Sequence, residues 1–274
     1  MPSLIPDRPW ARRLVYELIY AWPGSRRTAA FNVGFAPVLP DIRNDPVFAD
    51  EPHQIQLYAE LFGLAPLDAA AWRRSSVLEV AAGVGGGLLY LQTRYRPGEV
   101  IGIDASIVAV RRSRRLGVDS RRGDATSLAF EDCRFDCVVC VDALDYFPEA
   151  AFAREAYRVL RPGGLLLLGA SAGTFSEAED RFRRLAGRGR FELERSRDVS
   201  GGARLAIEEI SRRRAPGMAW LPALVRDRLK ETLIREGSER YRRWQSGEAC
   251  FALAALRRLP FADVGRQSFA DGSF

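Results

Sequence analysis

The chain has 274 residues, 47% of them hydrophobic, which is enough for one large domain or two small ones around a sizeable core and argues against wholesale disorder. Its 41 basic and 35 acidic residues leave a formal charge of +6, and every basic residue except Lys230 is arginine. The runs Arg111-Arg112, Arg114-Arg115 and Arg212 to Arg214 read as solvated helix faces rather than as a nucleic-acid or anionic-surface patch.

Residues 1–74 read as an N-terminal extension. Arg8 to Trp22 has helical character and Pro23-Gly24 ends it; its apolar part, Leu14 to Trp22, is too short to span a membrane and contains Glu17, so neither a span nor a signal peptide is expected. Scattered Pro, Gly, Asn and Asp make Phe31 to Pro46 irregular. Asp50 is expected to open a second helix, with Glu51 and Pro52 in its first turn and Ile55, Tyr58, Ala59 and Phe62 at helical spacing. From Ser76 strands and helices alternate: strands at 76–81, 99–104, 118–122, 135–142 and 164–170, helices at 86–95, 105–116 and 148–160. Apolar runs such as Cys137 to Val141 suit strands buried on both faces, and the alternation predicts a doubly wound, mostly parallel sheet. After Ala170 come a helix at 174–186, a strand at Phe191 to Val199, helices at Ala203 to Arg214, Leu224 to Glu236 and Glu239 to Trp244, and a last strand at Cys250 to Leu256. That makes seven strands, with a helical cap at about 200–246 and a loose polar tail after Pro260. Cys137 and Cys140, three apart on one strand, face opposite sides of the sheet, so the cysteines read as core thiols in a reducing cytoplasm and no metal site is expected.

The most informative stretch is Val77 to Gly87, VLEVAAGVGGG, where an apolar strand enters a glycine-rich turn that opens a helix. Bare backbone there lets a ligand lie against the main chain, at the strand end where open α/β sheets bind ligands. Asp104, 19 residues after Gly85 and at the end of the next strand, is spaced to accept the hydroxyls of a ribose. A dinucleotide fingerprint would need glycine at position 88, which is Leu88, so the diphosphate constraint lapses. Glu79, near the end of the first strand, suits an ammonium or sulfonium group better than a diphosphate. Together these features favour S-adenosylmethionine over NAD.

The segments VLEVAAGVGGG, IGID, RGDATSLAF, FDCVVCVDALDYFP and AYRVLRPGG, in this order, resemble the class I S-adenosylmethionine-dependent methyltransferases over about residues 75–170. Among them the chain looks most like enzymes acting on lipids, polyketides and other natural products; the GxGGG turn and ADEPHQIQLYAEL loosely resemble the phthiotriol dimycocerosate methyltransferase group. The resemblance implies a Rossmann-like, seven-stranded, mostly parallel sheet (residues 75–274 with the cap), covered by the 1–74 extension. It places the backbone from Ala81 through Gly83 to Gly85 beside the methionine part of the cofactor, Asp104 on the ribose, Ala105 against the adenine, Asp124 on the adenine amino group and Ala125 at its ring edge. Asp142 would lie over the cofactor, facing the acceptor. Plainer alternatives are a turn-forming role for Asp124 after Gly123 and a cap for Asp142.

Many relatives carry a histidine base in the loop after the fourth strand, where this chain has Asp145. A hydroxyl acceptor must lose a proton, and two residues are candidates to take it: His53, the one histidine of the chain, and Asp145, whose pKa burial would have to raise. His53 could instead sit in solvent on its helix, Asp145 could cap the next helix, and an amine or electron-rich carbon would need no base. The expected partner is a small, largely apolar or aromatic acceptor; nucleic acid is disfavoured because DALD replaces the base-gripping Asn/Asp-Pro-Pro-aromatic motif. Stable membrane insertion is not expected, and a homodimer is left open. The competing function is a protein of this fold that binds the cofactor without transferring methyl, such as a cyclase or regulatory binder.

Overall fold

The computed structural model describes residues 17, 19–21, 30–213 and 230–260. Most of the expected helix at Arg8 to Trp22, much of that at Leu224 to Glu236 and all of the tail after Pro260 lie outside them. Strands β1 (Ser76–Val80), β2 (Glu99–Asp104), β3 (Asp119–Arg122), β4 (Phe135–Val141), β5 (Leu160–Ala172), β6 (Phe191–Asp198) and β7 (Cys250–Arg258) form one sheet in the order β3-β2-β1-β4-β5-β7-β6. β1 to β5 pair in parallel, while β7 runs antiparallel between β5 and β6. This is a seven-stranded, mostly parallel, Rossmann-like sheet. β3-β2-β1 grows to one side and β4-β5 to the other, so the strand order reverses between β1 and β4, opening a crevice at their carboxyl ends.

Alternate residues of each central strand face two separate cores. Val77, Cys137, Val139, Leu165, Leu167, Phe251 and Leu253 point to one face; Leu78, Val80, Val138, Cys140, Leu166, Leu168 and Ala252 point to the other. Cys137 and Cys140 therefore lie on opposite faces, both fully buried. Helices α1 (Pro40–Arg43), α2 (Pro52–Phe62), α3 (Ala69–Arg74), α4 (Gly86–Arg94) and α5 (Ile107–Arg115) precede β3 in the chain. α6 (Glu149–Val159) and α7 (Phe175–Gly189) cover the second core, the latter starting with a Thr174–Glu177 capping box. α8 (Ser200–Arg213) and α9 (Glu239–Gln245) fall between β6 and β7.

Three local expectations change. α2 begins at Pro52 rather than Asp50, because the Pro ring suits the first helical turn and Asp50 sits in the preceding turn. The expected helix ending at Glu236 stops near Thr232, since Ile234 adopts a left-handed conformation (φ 51°). β5 starts at Leu160, its pairing with β4 shifting register between Phe135 and Cys137, so the Arg161-Pro162-Gly163-Gly164 turn is carried within an irregular strand.

The glycine-rich turn is built by close packing. Gly85 has φ 91°, and a Cβ there would lie 2.2 Å from Ser113 Oγ of α5. Leu88, where a dinucleotide site would place glycine, is fully buried over Gly102 of β2, whose own Cβ would come within 2.3 Å of it. The close approach of α4 to β2 is thus made by a glycine on the strand instead of one on the helix. Gly85→Ala combines backbone strain with overpacking and is expected to destabilise the fold by about 2–4 kcal/mol. Thermal unfolding by circular dichroism should show a matching fall in Tm, and adding Ser113→Gly should recover part of it.

Candidate active site

The crevice opens into a cavity of about 560 Å³, walled by the carboxyl-end loops of the sheet, the N-terminal residues and the segment 232–240. At one end the turn after β1 is held by the tip of β2. Asp104, 9% exposed, accepts the Gly83 N–H on Oδ2 and the Ser106 N–H on Oδ1, both at 2.8 Å. Ala81 and Gly83 both have positive φ (56° and 55°), which turns the main chain of 81–83 into the cavity. A carboxylate oxygen can accept more than one hydrogen bond, and Asp104 itself lines the cavity. Ala105, Asp124 and the buried Ala125 continue this wall. Asp124 Oδ1 also accepts from the Thr126 N–H and hydroxyl at 2.8 and 2.7 Å, so the residue shapes its own turn while facing the cavity.

The N-terminal segment is built into this end. Glu17 accepts from the Ser106 hydroxyl (2.8 Å) and the Ile107 N–H (3.0 Å), satisfying amide hydrogens at the start of α5. Tyr20 lies on the cavity wall edge-on to Phe31, and a Cβ at Gly83 would sit 3.4 Å from its hydroxyl. Burial, with Asp104 nearby, raises the Tyr20 pKa well above its ordinary value, so the phenol is a neutral donor. Arg112 Nη1 donates to the Tyr20 carbonyl.

Beneath the turn, Tyr58 of α2 donates to Glu79 Oε1 at 2.6 Å. Gly87 makes room for it, since a Cβ there would lie 2.3 Å from the Tyr58 ring. Burial pushes the Glu79 carboxyl up to about 8, with the Tyr58 hydrogen bond opposing and Asp104 adding to the rise. Tyr58 lines the cavity; Glu79 and Gly85 stand behind its wall.

At the other end, the tip of β4 presents Asp142 in a left-handed conformation (φ 53°), its N–H bonded to the Gly169 carbonyl and one carboxylate oxygen 3.3 Å from the Ser171 hydroxyl of β5. Burial raises its pKa to about 6; Arg240 and Ser171 oppose the rise and Asp145 adds to it. Val33, Phe147, Ile207, Ile210 and Leu233 contribute apolar side chains to the cavity wall.

The two candidate bases are placed differently. Asp145 lines the cavity, but its side chain is 66% exposed and its Oδ1 accepts from Arg181 Nη2 at 2.7 Å. His53 is neither in solvent nor on the wall: it is 2% exposed, packs beside Gly34, and its Nε2 lies 2.8 Å from Glu209 Oε2 of α8. The ring fastens the N-terminal part of the chain to the cap. Its neighbour Gln54 faces the cavity instead. Three wall residues carried no motif to announce them: Ser171, Arg240 and Arg235. The signal for Ser171 was a polar residue just past an apolar strand; for the arginines, on α9 and before it, none was legible.

Residues 78–168 match the family model described as a methyltransferase domain. The chain carries a class I methyltransferase domain. A stretch of 96 residues, 33% of this chain, is 44% identical to the phthiotriol/phenolphthiotriol dimycocerosates methyltransferase 1 of Mycobacterium ulcerans (strain Agy99), covering 35% of that protein. A stretch of 120 residues, 42% of each chain, is 36% identical to the fatty-acid O-methyltransferase of Mycolicibacterium smegmatis (strain ATCC 700084 / mc(2)155). The matches thus span 35% and 42% of the length of these relatives. The whole fold is similar to that of the [4+2]-cyclase SpnF (TM-score 0.74, 20% identity, 94% of this chain and 99% of that one). It is also similar to the geranyl diphosphate C-methyltransferase of Streptomyces coelicolor A3(2) (TM-score 0.65, 14% identity, 94% and 100%). No group of metal-ligating side chains occurs among the described residues, and none of their helices is long and apolar enough to cross a membrane.

Glu79 carries a measurable consequence. With a carboxyl ordinarily at 4.5 raised to about 8, the native methyltransferase domain keeps a proton that the unfolded chain has released between those values. Stability contributed by this group is therefore present below about pH 4.5 and is lost as pH rises through 8. Glu79→Gln should unfold at a Tm near that of wild type at pH 5 and several degrees higher at pH 9, as read by scanning calorimetry in the two buffers.

Proposed function

We propose that this protein transfers methyl from S-adenosylmethionine to an oxygen of a small, largely apolar or aromatic molecule, in lipid or natural-product biosynthesis. The observation that carries the reading is one continuous cavity with two unlike ends. A polar main-chain rim gripped by Asp104 forms one end, and an apolar chamber containing Asp142 forms the other. The rim fits the donor: the bare backbone of 81–83 beside its amino-acid part, Asp104 on the ribose hydroxyls, and Ala105, Asp124 and Ala125 around the adenine. When bound, the donor supplies an electrophilic methyl on a good leaving group. The chain's own part is to hold the acceptor in line, exclude water and accept a proton where the acceptor has one to lose. The apolar lining, and relatives named for a lipid and for fatty acids, support an apolar acceptor. The fold alone would not decide for transfer, since a cyclase shares it; a carboxylate within the chamber favours chemistry at a protic group.

The test is binding followed by product analysis. Isothermal titration should show S-adenosylmethionine and S-adenosylhomocysteine binding, and Asp104→Ala should weaken both by roughly 100-fold, the scale of two lost charge-assisted hydrogen bonds, while circular dichroism shows a folded chain. Undiminished affinity in that variant would remove the reading of the rim. Cofactor binding with no S-adenosylhomocysteine formed from any hydroxylated lipid or phenol would instead favour a protein that binds without transferring.

A further inference from the structure

We infer that Asp142 is the catalytic base, taking the proton from a hydroxyl acceptor, an alcohol or a phenol, in the apolar chamber. The inference rests on the methyl-transfer reading and names the acceptor class and the base within it. It comes from comparing the carboxylates of the cavity wall and the nearby histidine. Asp104 has both oxygens committed to main-chain amides, and Asp124 shapes its own turn. Asp145 is drawn outward by Arg181, and His53 lies behind the wall against Glu209. Asp142 differs from all of them. It makes one long hydrogen bond, from Ser171 to Oδ1, and Oδ2 accepts none from the described residues while the side chain faces the cavity.

The backbone supports the assignment. A left-handed φ on a residue other than glycine is costly and persists where the surroundings impose it, most often at functional sites. Here the Asp142 N–H is fixed at 2.7 Å to the Gly169 carbonyl of β5, which turns the side chain off the end of β4 and into the chamber. The charged and polar groups around it come from four elements: Ser171 on β5, Asp145 in the turn after β4, Arg181 on α7 and Arg240 on α9. Apolar surroundings raise the carboxyl to about 6 and the arginines keep it from rising further, so it is mostly ionised at neutral pH yet basic enough to receive a proton. A carboxylic acid as acceptor would bring a second negative charge beside Asp142 and has no proton to give at that pH.

The step balances simply. The acceptor oxygen forms a bond to the methyl carbon, the carbon–sulfur bond breaks with its electron pair left on sulfur, and the hydroxyl proton passes to Asp142 Oδ2 and on to solvent.

The test pairs a readout on the protein alone with one on catalysis. Carboxylate-labelled aspartate followed by 13C NMR in the protein without ligands should show one side chain titrating near 6, absent in Asp142→Asn and shifted upward in Arg240→Gln. Asn retains the size of the side chain and tolerates the left-handed backbone, so this variant should fold. With a long-chain 4-alkylphenol as acceptor, wild-type kcat/KM should rise with pH and level above about 6. Asp142→Asn should lower kcat by roughly 10²–10⁴-fold at saturating S-adenosylmethionine and lose the rising limb, a loss that a change in donor affinity alone would not produce. Wild-type transfer to the alkylphenol that survives Asp142→Asn overturns the inference alone. So does transfer confined to the matching fatty acid, or an Asp142 that titrates at the ordinary carboxylate value. Cofactor binding with no transfer to either acceptor overturns the transfer reading and this inference with it.

Discussion

Two main-chain amides on one carboxylate hold this site together. Asp104, at the tip of β2, receives the N–H of Gly83 from the turn after β1 and that of Ser106 from the turn before α5. Each turn would otherwise leave a polar hydrogen pointing at a cavity, an unfavourable arrangement unless water or ligand meets it. One ionised side chain satisfies both and fixes the distance between neighbouring strand ends. Charge-assisted bonds of this kind are about twice as strong as neutral ones. The same carboxylate lines the cavity, so the group that ties the two turns together also forms part of the wall.

The N-terminal segment completes that arrangement and does more than cover it. Glu17 meets amide hydrogens at the start of α5, Tyr20 lies against Gly83, and Tyr58 reaches over Gly87 to Glu79. Glycines 83 and 87 thus serve two surfaces each, leaving the main chain open on one side and admitting an aromatic ring on the other. The His53–Glu209 contact joins α2 to α8, so two segments that both contribute to the cavity wall are fastened to each other. Moving either segment would disturb both ends of the cavity.

How much of this could be read from the sequence follows from the range of the forces involved. The strands and their two-sided burial were legible, because continuous apolar runs bounded by Gly and Pro have few other uses. The separation of Cys137 from Cys140 followed from the period-two geometry of a strand alone. The turn of Val77 to Gly87 was legible as a glycine-rich passage from strand to helix, yet the reason for three glycines in a row was not. Gly85 answers to Ser113, 28 residues later, and Gly87 to Tyr58, 29 residues earlier. His53 shows the same limit: its residue type suggested a base, but its surroundings are set by α8, more than 150 residues on. Ser171 joins the chamber from β5, signalled only by a polar residue after an apolar run, and Arg240 joins it from α9, which carries no local pattern announcing it.

The charge inventory of the cavity gives an argument that no single motif supplies. Among the described residues on its wall, four are carboxylates (Asp104, Asp124, Asp142 and Asp145) and two are arginines, Arg235 and Arg240. Asp145 is paired with Arg181, which leaves Asp104, Asp124 and Asp142 set against Arg235 and Arg240, one negative charge in excess. In a partly enclosed, low-dielectric space such an imbalance persists over several ångströms and selects for ligand charge. A diphosphate would enter against that field, while a sulfonium with an ammonium group would enter along it. The absence of glycine at position 88 and the sign of the cavity are independent observations, one steric and one electrostatic. Both favour a cationic nucleoside over a dinucleotide. Raising the charge of the bound donor also favours ionised Asp142, so filling one end of the cavity would tune the carboxylate at the other.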